Sequence, residues 1–243
     1  MAGNSKQIVS NQPSVHEHLA GKVNRHLSHP FKKPVAEHTL GVFRQLNEQV
    51  QQWQGPVILD ACCGVGESTK VLAACYPDSL VVGIDKSACR IDKGLQQAGD
   101  GHYVLARADL NDLWRLVWAA NWPLSRQFIL YPNPWPKAEH LGRRWHGAGV
   151  FPYILAAGGV LTVRSNWHIY IEEIAQAMTI AGLAAKPAPY PTAAAVEPMT
   201  PFERKYWQSG HDSTQVEVDL AGYQAPQWLQ DSRSWLQTVV AKN

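Results

Sequence analysis

Between Pro56 and Ser165 the hydrophobic positions gather into five short runs: VILDA (57–61), SLVVGID (79–85), HYVLARA (102–108), QFILYP (127–132) and GGVLTVRS (158–165). Short, uninterrupted apolar runs suit strands buried on both faces, because neither face then tolerates polar alternation. The runs are separated by GESTKVLAACY, SACRIDKGLQQA, NDLWRLVWAAN, RRWHGAGVFPYILAA and WHIYIEEIAQAMTIAG, which read as helices. Strand–helix alternation of this kind predicts an α/β fold, a mostly parallel sheet with helices on both faces. Upstream, VAEHTLGVFRQLNEQVQQW places Val35, Leu40, Phe43, Leu46 and Val50 near one helical face, and Gly55-Pro56 stops the helix. Residues 1–35 are polar, basic and irregular, and are expected to form a flexible extension ahead of a single domain, 36–243. That domain ends in an amphipathic helix over about 226–240, with Trp228, Leu229, Trp235, Leu236 and Val239 apolar, which would pack on the domain or on a second copy.

Composition narrows the function class. At 45% hydrophobic residues in 243, a sizeable core is available. No apolar run approaches the roughly 18 residues of a membrane span, and the N-terminus lacks a signal-peptide pattern. A soluble cytoplasmic protein, monomer or homodimer, without a membrane partner, is the expectation. Cys62, Cys63, Cys75 and Cys89 include no CxxC pair, so neither a metal site nor a disulfide framework is expected. Net charge is only +2, so a nucleic-acid partner has to rest on local patches.

The loop after the first run, DACCGVGEST, carries Gly64 and Gly66 for a tight turn that lets backbone approach a ligand. About 20 residues on, the second run ends in Asp85, placed for a ribose diol. There is no GK[ST] and no third glycine, which excludes a phosphate loop and disfavours a dinucleotide. Asp60 closing the first strand suits a cationic ligand instead, which points to S-adenosylmethionine. Asp109 at the end of the third run suits the adenine amino group and also an N-cap, and the two roles can coexist.

After the fourth run the chain reads YPNPWPKAEHLGRRWHG. Prolines 132, 134 and 136 stiffen it, holding Asn133 and Trp135 at the strand's C-terminal rim. The amide and indole suit a planar base, and His140, Arg143, Arg144 and His146 suit phosphates. An ordinary proline-rich loop with a solvated basic segment is the plain alternative. Lys22, Arg25, Lys32 and Lys33 in the N-terminal extension suit either an RNA clamp or a solvated tail.

In these segments the sequence resembles the bacterial tRNA (guanine-N7) methyltransferases. Three segments carry the resemblance most directly: the rim, close to PDPWPKxRHxKRR; TPFERK (200–205), close to T-x-F-E-x-[RK], followed by Gly210-His211; and the DACCGVG loop. A looser match is SNWHIY. The resemblance implies a Rossmann-like seven-stranded methyltransferase sheet with an antiparallel last strand, S-adenosylmethionine as cofactor, and tRNA as partner. It implies methyl transfer to N7 of a guanosine in the variable loop. Matched residue by residue, Asp60, Cys62, Gly64, Gly66, Asp85 and Asp109 fall at cofactor positions. Trp135, Lys137, His140, Arg143, Arg144, Asn166, Thr200, Phe202 and Glu203 fall at substrate positions, with Asn133 and Glu203 the catalytic candidates.

The departures are specific. Cys62 replaces a glycine, Asn133 and Asn166 each replace aspartate, and Glu139 and Gly142 interrupt the basic run. Guanine N7 carries a lone pair and no proton, so its methylation needs no general base. Asn133 offers one acceptor where a carboxylate offers two, which weakens guanine reading, and Glu203 is expected to supply the carboxylate. Asn-Pro-aromatic also resembles the NPP[YF] motif of amino-methyltransferases, which implies an exocyclic amine as target. A catalytically impaired RNA- or partner-binding relative is the remaining alternative.

Overall fold

A computed structural model describes residues 4–97, 99, 101–191 and 196–241. Its centre is one seven-stranded sheet. The strands are β1 (Val57–Ala61), β2 (Leu80–Asp85), β3 (Tyr103–Arg107), β4 (Leu124–Leu130), β5 (Val160–Ser165), β6 (Ala188–Tyr190) and β7 (Ser213–Asp219), in the order β3-β2-β1-β4-β5-β7-β6. β1 to β5 pair in parallel, and β7 runs antiparallel to both β5 and β6. The α/β class and the antiparallel last strand agree with expectation. The chain builds outward from β1 to β3, then crosses back to β4 on the other side of β1. Strand order therefore reverses between β1 and β4, the position where such sheets open a crevice at their C-terminal edge.

The strands sort their side chains by alternation. Val57, Leu59 and Ala61 of β1 enter the main core, while Ile58 meets Val81 and the helix α3 (Glu67–Cys75) on the other face. Helices α2 (Glu37–Gln52), α5 (Leu110–Ala120), α6 (Phe151–Ala156) and α7 (His168–Ile180) contribute to the main core, and α4 (Ala88–Leu95) packs Ile91 against Leu105 of β3. The C-terminal helix α9 (Gln227–Ala241) lies on its own domain: Leu229 and Leu236 are buried in the main core, and Gln237 donates to the Ala119 carbonyl at the end of α5.

Two expectations differ from the structure. The first 35 residues are not a loose tail: α1 (Leu19–Ser28) buries Leu19 and Val23 in the main core, next to α7. Leu19 and Val23 are buried, and Val15, Leu27 and Phe31 pack partly buried against the same core, apolar positions too sparse to stand out in a polar stretch. The segment 143–157 is not one helix but 3-10 turns over Ala138–Arg143 and Trp145–Gly147, followed by the short α6. Arg144 and His146 both reach Glu173, and on an α-helix residues two apart point to nearly opposite sides. The extended backbone at Arg144 (φ −77°, ψ 144°) resolves that conflict.

Candidate active site

One side of the crevice is built by the turn after β1. Cys62, Gly64 and Gly66 all take left-handed backbone, with φ of 65°, 63° and 77°. At Gly66 a Cβ would come within 2.6 Å of Leu105, so glycine is required there. At Gly64 the same position opens on free space, and backbone can meet a ligand without obstruction. Cys62 holds by a non-glycine residue a conformation that favours glycine, strain of the kind that collects at functional turns.

Asp60 lies beneath this turn. Its Oδ2 accepts from Ser68 Oγ and Thr69 Oγ1, each at 2.7 Å, both hydroxyls coming from the first turn of α3. Its Oδ1 is buried and has no hydrogen-bond partner. Burial pushes the carboxyl up to about 6, against the two hydroxyl bonds and with the added repulsion of Asp85. Asp85, at the end of β2, accepts from the Gly64 amide (3.1 Å) and the Ser87 amide (2.8 Å). Arg90 of α4 reaches it at 3.5 Å. An orphaned, buried carboxylate oxygen beside an open glycine turn fits a ligand with a cationic centre, as S-adenosylmethionine has. Asp109 caps α5 through the Asn111 amide (2.9 Å) and receives Lys33 at 3.4 Å. Burial would raise its pKa, but the Asn111 bonds and the Lys33 charge outweigh burial and hold it below the usual range. It remains half-exposed at the C-terminal end of β3.

The opposite lip follows β4. Tyr131 and Trp135 are also left-handed, at φ 49° and 48°. The exposed Asn133 accepts from the Trp135 amide at 3.3 Å, closing the turn between its flanking prolines. The exposed Arg143 guanidinium lies 4.7 Å over the Trp135 ring, and His140 meets that ring edge-on. Lys137 is exposed on the same lip. A cleft beside the glycine turn is lined by Cys62, Gly64, Leu130 at the end of β4, Thr200 and Phe202. Phe202 is 40% exposed at its mouth.

Four expected site residues do other work, among them His146, which is fully buried with Nε2 2.8 Å from Glu173 and cannot meet a phosphate. Arg144 is fully buried: it pairs with Glu173 at 2.6 Å and donates to the carbonyls of Trp135 (3.1 Å) and Lys137 (3.2 Å). It cannot present its guanidinium to a phosphate, and instead holds the rim from beneath. Glu203 is fully buried, bonded to Arg164 (2.6 Å), the Tyr131 hydroxyl (3.1 Å) and the Met199 amide (2.6 Å). Thr200 caps α8 (Pro201–Gln208) by accepting from the Glu203 amide at 2.9 Å. Thr-Pro-Phe-Glu is thus a helix start locked by an internal ion pair, and Glu203 has no oxygen left for a base. Asn166, partly buried, contacts His211 Nδ1 at 3.1 Å, and the His211 ring stacks on Tyr206.

Residues that the sequence did not single out complete the site. Ser68 and Thr69 hold Asp60, Arg90 guards Asp85, and Glu173 anchors Arg144. Only the first two had a legible sign, hydroxyls in the turn that directly follows the glycine loop.

A protein-family model described as "Putative methyltransferase" matches residues 54–216, more than half of the chain. The tRNA (guanine-N(7)-)-methyltransferase of Sodalis glossinidius (strain morsitans) is 29% identical over 166 residues, covering 64% of this chain and 69% of that one. The enzyme of the same name from Pseudomonas aeruginosa (strain UCBPP-PA14) is 27% identical over 182 residues, covering 69% and 74%. Among solved structures, the 16S rRNA methyltransferase KamB superposes with a TM-score of 0.54 at 17% identity, covering 77% of this chain and 94% of its own. An antibiotic-related methyltransferase gives 0.52 at 12% identity, covering 74% and 94%. At such identities the superpositions establish the fold. The sequence match runs from just ahead of β1 into β7 and takes in both lips of the crevice, and the chain belongs to this methyltransferase family.

Proposed function

We propose that the protein uses S-adenosylmethionine to methylate N7 of a guanosine in the variable loop of tRNA. The observation that carries the reading is the unpartnered Asp60 oxygen beneath the glycine turn of β1, with the Asn133–Trp135 rim on the neighbouring strand β4. The relatives' names supply the substrate. Both lips come from one chain, so the reading needs no second copy.

When bound, the cofactor supplies a methyl group on a cationic sulfur. Asp60 offers that ligand a buried negative charge, Gly64 and Gly66 an approachable backbone, Asp85 a ribose acceptor once Arg90 yields, and Asp109 an acceptor on the adenine side. Guanine N7 has a free lone pair, so no residue has to remove a proton, and catalysis reduces to alignment and charge stabilisation. Trp135 gives the base an apolar face, and Asn133 one acceptor for its Watson–Crick edge. Lys137, His140 and Arg143 meet the phosphates, and Asn166 and Phe202 border the base.

One observation favours a second reading. With Glu203 locked inside, the rim reads its substrate through the amides Asn133 and Asn166, and an amide oxygen also accepts from the exocyclic amine of adenine or cytosine. Methyl-labelled S-adenosylmethionine, incubated with bulk tRNA from cells that lack their own guanine-N7 enzyme and followed by nucleoside analysis, separates the two. Label in 7-methylguanosine supports the first, label in an N-methylated adenosine or cytidine the second, and no label in tRNA rejects both.

A further inference from the structure

Helix α1, with Phe31 just beyond it, is docked against the segment that follows the substrate rim and against α9. His26 Nε2 lies 3.1 Å from the Gly147 carbonyl, Trp228 Nε1 donates to the Leu27 carbonyl at 2.8 Å, and Phe31 packs so closely on Gly149 that a Cβ there would meet it at 2.6 Å. Ahead of the helix, Gln12 donates to Glu173 at 2.6 Å, the carboxylate that also holds Arg144. The Ser10 hydroxyl donates to the Pro136 carbonyl at 2.5 Å, and Asn11 Oδ1 accepts from the Ala138 amide at 2.9 Å. The N-terminal segment is thus bonded to the same loop that carries Trp135.

This docking opens a cleft with Lys22 and Arg25 on one lip and Ala138, Leu141 and Gly142 on the other. Gly142 interrupts the basic loop, and the space in front of it is taken by Lys22, whose Nζ lies 3.5 Å from where a Cβ on Gly142 would stand. Arg143 follows Gly142, and Lys137 lies at the other end of the loop, both exposed. Among the described residues Lys22, Arg25, Lys137 and Arg143 have no carboxylate within 4.0 Å. Two acids border the cleft, Glu17 and Glu139, and each has a histidine beside it, His18 at 3.7 Å and His140 at 3.5 Å. Cations left unpaired on an ordered scaffold repel one another, and a polyanion relieves that repulsion.

We infer that the cleft between α1 and the loop Ala138–Arg143 is a binding surface for the phosphate backbone of tRNA, with Lys22 and Arg25 adding charge beside Gly142, where the loop has none. The inference rests on the tRNA reading above and extends it to residues outside the family match.

The test is tRNA binding by fluorescence anisotropy as a function of salt, on the full chain, alongside methyl transfer. Lys22→Glu with Arg25→Glu should lower the slope of log affinity against log salt by about two, roughly one for each lost phosphate contact. KM for tRNA should rise about tenfold or more, while kcat at saturating tRNA and S-adenosylmethionine affinity stay within about twofold. Lys93→Glu on α4, the same charge reversal far from the cleft, should leave the slope unchanged. Lys22→Ala should lower the slope by about one, and adding Gly142→Lys should restore it, since the charge returns from the other lip. An unchanged slope in the double variant, with wild-type protein binding and methylating tRNA normally, overturns the cleft. Wild-type protein that does not bind tRNA overturns the functional reading and the cleft with it.

Discussion

In the proposed function, cofactor binding turns on Asp60. Its pKa is raised to about 6 by burial, so the empty folded protein binds a proton there between about pH 4 and pH 6 that the unfolded chain releases. That proton stabilises the fold at low pH, and the contribution fades as pH rises through 6. A cationic ligand has the opposite preference, since it binds the ionised carboxylate. S-adenosylmethionine affinity measured by calorimetry should therefore rise from pH 5 to pH 7, and Asp60→Asn should flatten that profile and weaken binding at least tenfold at pH 7.5. Asn133 gives a second prediction. Asn133→Asp keeps the oxygen that accepts from the Trp135 amide and adds a second, charged acceptor for the two adjacent donors of guanine. In steady-state assays on tRNA its kcat/KM should rise about tenfold, the effect of roughly one charge-assisted hydrogen bond. Asp60, Gly66 and Asn133 were legible in the sequence because a strand end and a turn leave local marks. Arg144 was not: a run of cations does not say which one turns inward, and the answer came from Glu173, another 29 residues along.

The elements around the site are tied by Glu173 on α7, which accepts from Arg144, His146, Gln12 and the His16 amide. Burial alone would raise its pKa, but the bonds from His146, Arg144 and Gln12 and the adjoining charges hold it down to about 2. Its folded pKa lies below the unfolded one, so its stabilisation is present above about pH 4.5 and is lost as pH falls toward 2. Glu173→Ala leaves Arg144 buried without a counter-charge and should cost about 3–5 kcal/mol in urea denaturation. Because Arg144 also holds the Trp135 and Lys137 carbonyls, the milder Glu173→Gln should raise KM for tRNA more than it lowers S-adenosylmethionine affinity. At this scale the parallel strands were readable from their apolar runs. β7 was missed from the pattern because its apolar residues alternate, with Val216 and Val218 inward and Glu217 outward, and β6 is only three residues long. The segment 143–157 misled because its apolar spacing is helical, while the buried Arg144 and His146 and Gly147 fit only an irregular path.

In the proposed function the whole molecule joins a cofactor half and a substrate half across the β1–β4 reversal, and α1 and α9 pack on the same core. Among the described residues no helix is long and apolar enough to cross a membrane. A ligand that binds only the folded state adds stability by mass action, so S-adenosylmethionine at 100 times its dissociation constant should add about 2.7 kcal/mol. In a chain of this size that raises the melting temperature by roughly 5–10 °C in a thermal-shift assay, and Asp60→Asn should abolish most of the rise. The pattern of strands and helices disclosed this architecture, whereas the docking of α1 depends on contacts with Gly147, Gly149 and Trp228 that no local pattern encodes. The proposed reaction is transfer to N7 of one guanosine in the variable loop. Methylation at N7 makes the glycosidic bond labile after borohydride reduction, so aniline then cuts the chain at the modified nucleotide. Unmodified tRNA treated with the protein and S-adenosylmethionine should show one new cut, at a variable-loop guanosine, and none when the cofactor is withheld. A tRNA that gains methyl groups but no cut, or stays unmodified under an enzyme that binds both ligands, would contradict the account.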